Sequence, residues 1–216
     1  MAAEKQSVPA WLPNTAGFRR RDYNNYGEYR RHQAEKLEHL NGTPWITSYE
    51  ETFAPVLRDR LLDDSEVTRG KSVLCLGARL GGEVRTFVSL GCFAIGIDLN
   101  PGPNNEYVVH GDFHSLNFAD DSIDITFTNT LDHVFDLDRV IREILRVTKV
   151  SGHVIVEAMN GSREGKSDVD PYDCFHWERI DNIIDRFTEV GFRIQRRQSF
   201  DVPWNGEHLL MRKEAG

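Results

Sequence analysis

The residues best placed to do chemistry begin in one short span. Val73 to Gly82 reads VLCLGARLGG, an apolar run that breaks into a glycine-rich turn and opens a helix. Gly77 permits a tight turn after a strand, and Gly81 lets the backbone approach a ligand closely. Tight turns of this composition are common, so the context decides. The next apolar run ends in Asp98, about twenty residues past the glycines, where an acid can accept hydrogen bonds from ribose hydroxyls. One run later come His110, Gly111, Asp112 and Phe113, an acid beside an aromatic at another strand end. Ligands of open α/β sheets sit across the carboxyl ends of the strands. Gly77, Asp98 and Asp112 therefore fall along one edge, spaced to hold a nucleoside by its tail, its ribose and its base.

His110, Asp112 and His114 also raise the chemistry of a metal site. Alternate residues share a face only while the chain stays extended, and Gly111 is expected to end that strand. No HExxH or CxxC accompanies them, so no metal is expected. Trp45, Trp177 and Trp204 read as packing residues.

The elements that must position these groups follow from apolar patterning. Lys71–Leu76, Phe93–Ile97, Tyr107–Val109, Ile123–Phe127 and His153–Val156 are short apolar runs, as in strands buried on both faces of a parallel sheet. Helical patterns over Gly82–Leu90, Leu137–Val147 and Trp177–Val190 separate them, which predicts an α/β doubly wound sheet. Phe192–Ser199 and His208–Lys213 have only a loop between them and can pair antiparallel. Upstream, helices are predicted over Glu28–Leu40, stopped by Asn41-Gly42, and over about Ser48–Leu62. Ser48 is the expected cap of the second, and Phe53, Val56, Leu57 and Leu61 form its apolar stripe. The stretch to about Asn25 reads as an irregular arm whose Trp11, Phe18, Tyr23 and Tyr26 dock on the body.

Composition bounds the rest. The 216 residues carry 26 Lys+Arg against 34 Asp+Glu, a net charge of −8, so no basic footprint for nucleic acid or anionic lipid is visible. Arg19, Arg20 and Arg21 read as a solvated charged face. Three widely spaced cysteines, Cys75, Cys92 and Cys174, make no disulfide framework. With no signal-like or membrane-length apolar run, a cytoplasmic location is expected.

These motifs carry a resemblance. Leu116 to Ala158, LNFADDSIDITFTNTLDHVFDLDRVIREILRVTKVSGHVIVEA, resembles the class I S-adenosylmethionine-dependent methyltransferases, and within them the type 11-like group. Phe118, Asp120, Asp124, His133, Glu143, Arg146, Val147, Lys149 and Gly152 fall on that group's pattern in register. The resemblance covers Lys71 to about Val156 well and is weak before Ser48. It implies a three-layer α-β-α Rossmann-like fold, with a seven-stranded, mostly parallel sheet of order 3-2-1-4-5-7-6 and strand 7 antiparallel. It also implies a division into residues 1–66, arm and helices on the acceptor side, and residues 67–216, the cofactor-binding domain.

Carried over by position, Gly77, Ala78 and Gly81 line the methionine and ribose of S-adenosyl-L-methionine, and Arg79 between them is a cofactor-binding candidate that either crowds the loop or substitutes a different contact. Asp98, with Leu99 beside it, binds the ribose hydroxyls. Asp112 meets the adenine amine, with Phe113 beside the ring, and Asn129, Thr130 and Leu131 lie near the sulfonium. Two departures stand out. The family has an acid where Cys75 stands and a glycine where Arg79 stands; Glu83, just inside the helix, is the candidate replacement carboxylate. For a hydroxyl acceptor needing a base, His133 after the fourth strand is the first candidate and His176 the second, although His133 equally suits a backbone hydrogen bond. The segment Met159–Trp177, with Arg163, Lys166, Asp168, Asp170, Tyr172 and His176, is the expected acceptor loop. A small-molecule or sugar acceptor, O- or N-methylated, is expected. Two other readings stay open. One is a nicotinamide-dependent oxidoreductase, against which Gly77-x-x-x-Gly81 is not G-x-G-x-x-G. The other is a catalytically inactive binding protein of the same fold, motivated by Cys75 and Arg79.

Overall fold

A computed structural model describes residues 8–40, 43–165 and 170–215. In chain order its elements begin with β1 (Phe18–Arg20), α1 (Tyr26–Leu40), α2 (Pro44–Leu62), α3 (Ser65–Thr68), β2 (Ser72–Leu76), α4 (Gly82–Ser89) and β3 (Phe93–Asp98). There follow β4 (Val108–His110), β5 (Ile123–Thr128), a 3-10 turn (Leu131–His133), α5 (Leu137–Val147) and β6 (Thr148–Met159). The last are β7 (Phe175–Trp177), α6 (Ile180–Glu189), β8 (Phe192–Phe200) and β9 (Gly206–Lys213).

Seven strands form one sheet in the order β4-β3-β2-β5-β6-β9-β8, with β9 alone running against the other six. Counted along the large sheet alone, this is the expected order 3-2-1-4-5-7-6. The period-two alternation of side chains explains the layers. On β2, Val73 and Cys75 join one apolar cluster and Leu74 and Leu76 the other. On β6, Ile155 faces the first cluster while Val154 and Val156 face the second. Phe53, Leu57 and Leu61 of α2, with Val84 and Phe87 of α4, cover the first face. Leu137, Val140, Ile141, Ile144 and Val147 of α5, with Ile180, Ile183 and Phe187 of α6, cover the second. Strands apolar on both faces need helices on both, and the sequence supplies them.

Four local expectations are corrected. The second helix begins at Pro44 with Thr43 in the capping position, not at Ser48, because proline's fixed φ suits a first helical turn. The helix expected from Trp177 begins at Ile180; Trp177 belongs to β7, where it pairs with Phe18 of β1. β6 begins five residues before His153, its register with β5 shifting between Ile123 and Ile125. Arg21 is buried rather than solvated, its guanidinium donating to Asp173 O and Pro9 O and lying 4.6 Å over the Trp11 ring. Lys166, Asp168 and the Trp45 side chain lie outside the described residues. No described helix is long and apolar enough to cross a membrane.

Candidate active site

The carboxyl ends of β2, β3, β4 and β5 converge, and the chain turns sharply after β2. Gly77 has φ +68°, and a Cβ there would lie 2.5 Å from Thr130 Oγ1. Gly81 has φ +84° and caps α4, with no room for a Cβ beside Tyr107. Arg79 lies between them, itself at positive φ, and its backbone N–H donates to Asp98 Oδ2 at 2.9 Å. Asn100 N donates to the other Asp98 oxygen at 2.8 Å. Burial still raises the pKa of that carboxyl, against the pull of these two donors. Asp112 is held differently. The Tyr26 hydroxyl contacts both its oxygens at 2.7 and 2.8 Å, and His114 N donates to it at 2.9 Å. Burial opposes ionisation there, but these bonds and that from the His114 ring lower its pKa to about 2.

Two crevices meet at this edge. The first encloses about 490 Å³ of empty space, solvent included, and is lined by Gly77, Arg79, Asp98, Leu99, Phe113, Thr130 and His133. Its other wall is α1, through Tyr29, Gln33 and Lys36. The second is lined by Tyr49, Asn129, Asp132, Met159, Asp170, Asp173 and Trp204. Lys36, Arg79, Thr130 and His133 border both.

His133 sits on that shared wall, largely buried. Its Nδ1 lies 3.0 Å from Tyr172 O; a carbonyl only accepts, so Nδ1 carries the proton. The Nε2 lone pair then accepts from Lys36 Nζ at 2.8 Å. Burial first, and the Lys36 charge second, depress the imidazole pKa to about 3. Burial and Arg79 also lower the pKa of Lys36. Asp132, His133 and Asp173 bring three potential ligand atoms within 4.8 Å of one another, and the Lys36 amine contacts the imidazole of this group.

The remaining expected residues lie at the edge or behind it. Asn129 borders the second crevice. Ala78 and Leu131 are buried in the two apolar clusters, and Glu83 is buried in the first turn of α4. His176 borders neither crevice: it lies in β7 opposite Arg19, its ring edge-on to Trp11 at 6.2 Å. The alternative ligand His114 is committed, its Nε2 accepting from Phe135 N and Asp136 N and its Nδ1 facing Asp112. Sequence reading missed Tyr29, Gln33 and Lys36. Their signal was a stripe at helical spacing, Tyr26, Tyr29, Gln33 and Lys36, on one face of α1.

The strand order and layering are those of the Rossmann-like fold of S-adenosylmethionine-dependent methyltransferases, with the glycine turn and the acids at successive strand ends along one edge. Residues 74–156 match the family described as methyltransferase domain. A demethylmenaquinone methyltransferase of Thermobifida fusca (strain YX) is 34% identical over 101 residues, covering 40% of this chain and 43% of that one. The chain thus matches less than half the length of that relative. Among solved structures, 1,6-didemethyltoxoflavin-N1-methyltransferase of Burkholderia thailandensis, with bound 1,6-didemethyltoxoflavin and S-adenosylhomocysteine, superimposes with a TM-score of 0.67. The identity is 14%, covering 95% of this chain and 99% of that one. The [4+2]-cyclase SpnF, 17% identical over 74% of this chain and 81% of its own, has a TM-score of 0.58. At such identities the likeness is one of fold.

Proposed function

We propose that this chain transfers the methyl group of S-adenosylmethionine to the oxygen or nitrogen of a small molecule that enters the second crevice. The observation that carries this reading is the shared wall: Lys36, Arg79, Thr130 and His133 border both crevices, so a group transferred between two bound molecules passes there. The first crevice suits the cofactor. The backbone at Gly77 leaves no room for a Cβ, and Asp98 offers a carboxylate at the strand end; behind this lining, Glu83 in the first turn of α4 keeps a buried oxygen without a hydrogen-bond partner. Gly77 and Arg79 hold the amino-acid tail, Asp98 the ribose, and Phe113 and Asp112 the base.

The bound cofactor supplies an activated methyl on a sulfonium. The chain supplies alignment of the acceptor, worth several orders of magnitude in rate, and exclusion of water beneath α1. The relative and the 1,6-didemethyltoxoflavin-N1-methyltransferase neighbour both bear names of small-molecule methyltransferases, which supports a small acceptor. Residues 1–66 serve as the acceptor-side cover and 67–216 as the cofactor domain. His133 positions Lys36, and His176 stands apart from the chemistry.

Calorimetric titration with S-adenosylhomocysteine tests the reading, with micromolar or tighter binding expected. Asp98→Ala should weaken it by about 1.5–3 kcal/mol through loss of charge-assisted hydrogen bonds. Binding of a nicotinamide dinucleotide instead would favour hydride transfer. A second reading, a binding protein or non-methylating catalyst of this fold, is favoured by Cys75 and Arg79 and by the cyclase neighbour. Tight cofactor binding without labelled methyl transfer to any of a broad acceptor panel would select it.

A further inference from the structure

Cys75 stands where the resembling family has an acid, and it is completely buried in an apolar cluster with Ala78, Val84 and Phe87. It offers nothing to a cationic ligand. Beside it lies the other anomaly, Glu83. This side chain is only 6% exposed, and its Oε2 has no hydrogen-bond partner. Every element around it brings a titratable or charged group: Cys75 from β2, Tyr49 and Glu50 from α2, Arg79 from the glycine turn and Asp98 from the end of β3. Glu50 is already engaged by Arg85 at 2.9 Å and by the Gly82 backbone N–H. Asp98 is engaged by two backbone donors. Glu83 alone of these three carboxyls keeps an oxygen unspoken for.

We propose that Glu83 takes the α-ammonium of the cofactor's methionine tail, with Arg79 taking its carboxylate, and that Glu83 gives up a proton as it does so. Arg79, one of the two departures from the family's pattern, and Glu83, the candidate replacement for the acid absent at Cys75, thus form one zwitterion clamp. The inference rests on the proposed function, because it presupposes that the first crevice holds S-adenosylmethionine. The balance is simple. A neutral carboxyl becomes a carboxylate paired with an ammonium, no covalent bond forms, and the released proton goes to the buffer. In the free protein, burial first and the nearby Glu50 second raise the Glu83 pKa to about 8, so the group is protonated at pH 7. An unpaired charge in such a place is costly, and an arriving ammonium removes that cost.

The experiment is calorimetric titration of the full chain with S-adenosylhomocysteine at pH 7, in buffers of differing ionisation enthalpy. Close to one proton should be released per cofactor, and affinity should rise up to about tenfold per pH unit below pH 8. Glu83→Gln resembles the neutral side chain without the cost of protonating it on folding, so at pH 7 its melting temperature should equal or exceed that of the wild type. It should bind with no proton release, a flat pH profile and ~10–100-fold weaker affinity, the loss of one charged hydrogen bond. Methylthioadenosine, which lacks the amino-acid tail, should bind both proteins equally and release no proton. Wild-type binding of S-adenosylhomocysteine without proton release would overturn the clamp while leaving the cofactor reading intact, as would unchanged affinity in Glu83→Gln. Failure of the wild type to bind either compound would instead overturn the cofactor reading itself.

Discussion

At the scale of single residues, the environment of His133 decides what it can do. A general base needs a free lone pair and a pKa near the working pH. Here the lone pair accepts from Lys36 and the pKa is about 3, so the imidazole is neutral throughout the physiological range. His133→Ala is therefore expected to lower turnover about 10²-fold by misplacing Lys36, with little change in cofactor affinity. The pH–rate profile should fall in level and keep its shape. A limb near neutrality that vanished in this variant would return His133 to the role of base. Gly77, Asp98 and Asp112 were legible in the sequence because each sits at the end of its own strand, where local pattern alone fixes the position. Lys36 was not. It meets His133 across 97 positions of sequence, and Tyr29 meets the same turn across 104, so their part depends on how α1 docks.

At the scale of elements, a buried charge network ties α2, α3, β6, β8 and β9 together. Arg60 donates to both oxygens of Glu157 at 2.6 and 3.0 Å, and Arg196 lies 2.7 Å from Asp64. His208 spans the two carboxylates, Nδ1 to Glu157 at 3.0 Å and Nε2 to Asp64 at 2.8 Å. Both ring nitrogens must donate, which requires imidazolium. Burial opposes that charge, yet the bonds to Asp64 and Glu157 raise the pKa above its ordinary 6.5. A raised pKa means the folded state binds the proton more tightly than the unfolded chain. The stabilisation is complete below about pH 6.5 and is lost as pH rises through the higher folded value. The urea midpoint should accordingly fall between pH 6 and pH 9. Glu83 contributes a fall of the same sign between its ordinary 4.5 and about 8, so comparison with His208→Gln isolates the histidine. That variant should be less stable by ~3–5 kcal/mol at pH 6, as for a broken buried pair, and less dependent on pH. A wild-type midpoint that rose with pH would contradict the assignment. None of this network was legible, because its members look like ordinary surface charges until five elements meet. The misread start of α6 has a similar cause: the strand at Phe175–Trp177 exists only because β1 offers it an edge.

For the molecule as a whole, the α/β layering was legible because apolar runs alternate with amphipathic helices. The strand order came from the resemblance, since order is a property of long-range pairing that no local pattern encodes. That order has a consequence for how the chain is made. β9 lies between β6 and β8, so the interior of the sheet is completed by the last described strand to leave the ribosome. Until then β6 presents an open edge, and β8 has no partner, since every β8 pairing is with β9. Assembly must wait on contacts of high sequence separation, a slow step that leaves adhesive edges exposed. Pulse-labelled hydrogen exchange during refolding should show the β2 and β5 amides protected before those of β8 and β9. Simultaneous protection of all four would mean that the sheet closes in one concerted event. With ordered closure, a nascent chain lacking β9 is a natural client for a chaperone, and premature termination anywhere upstream of Gly206 yields aggregate rather than a weakened enzyme.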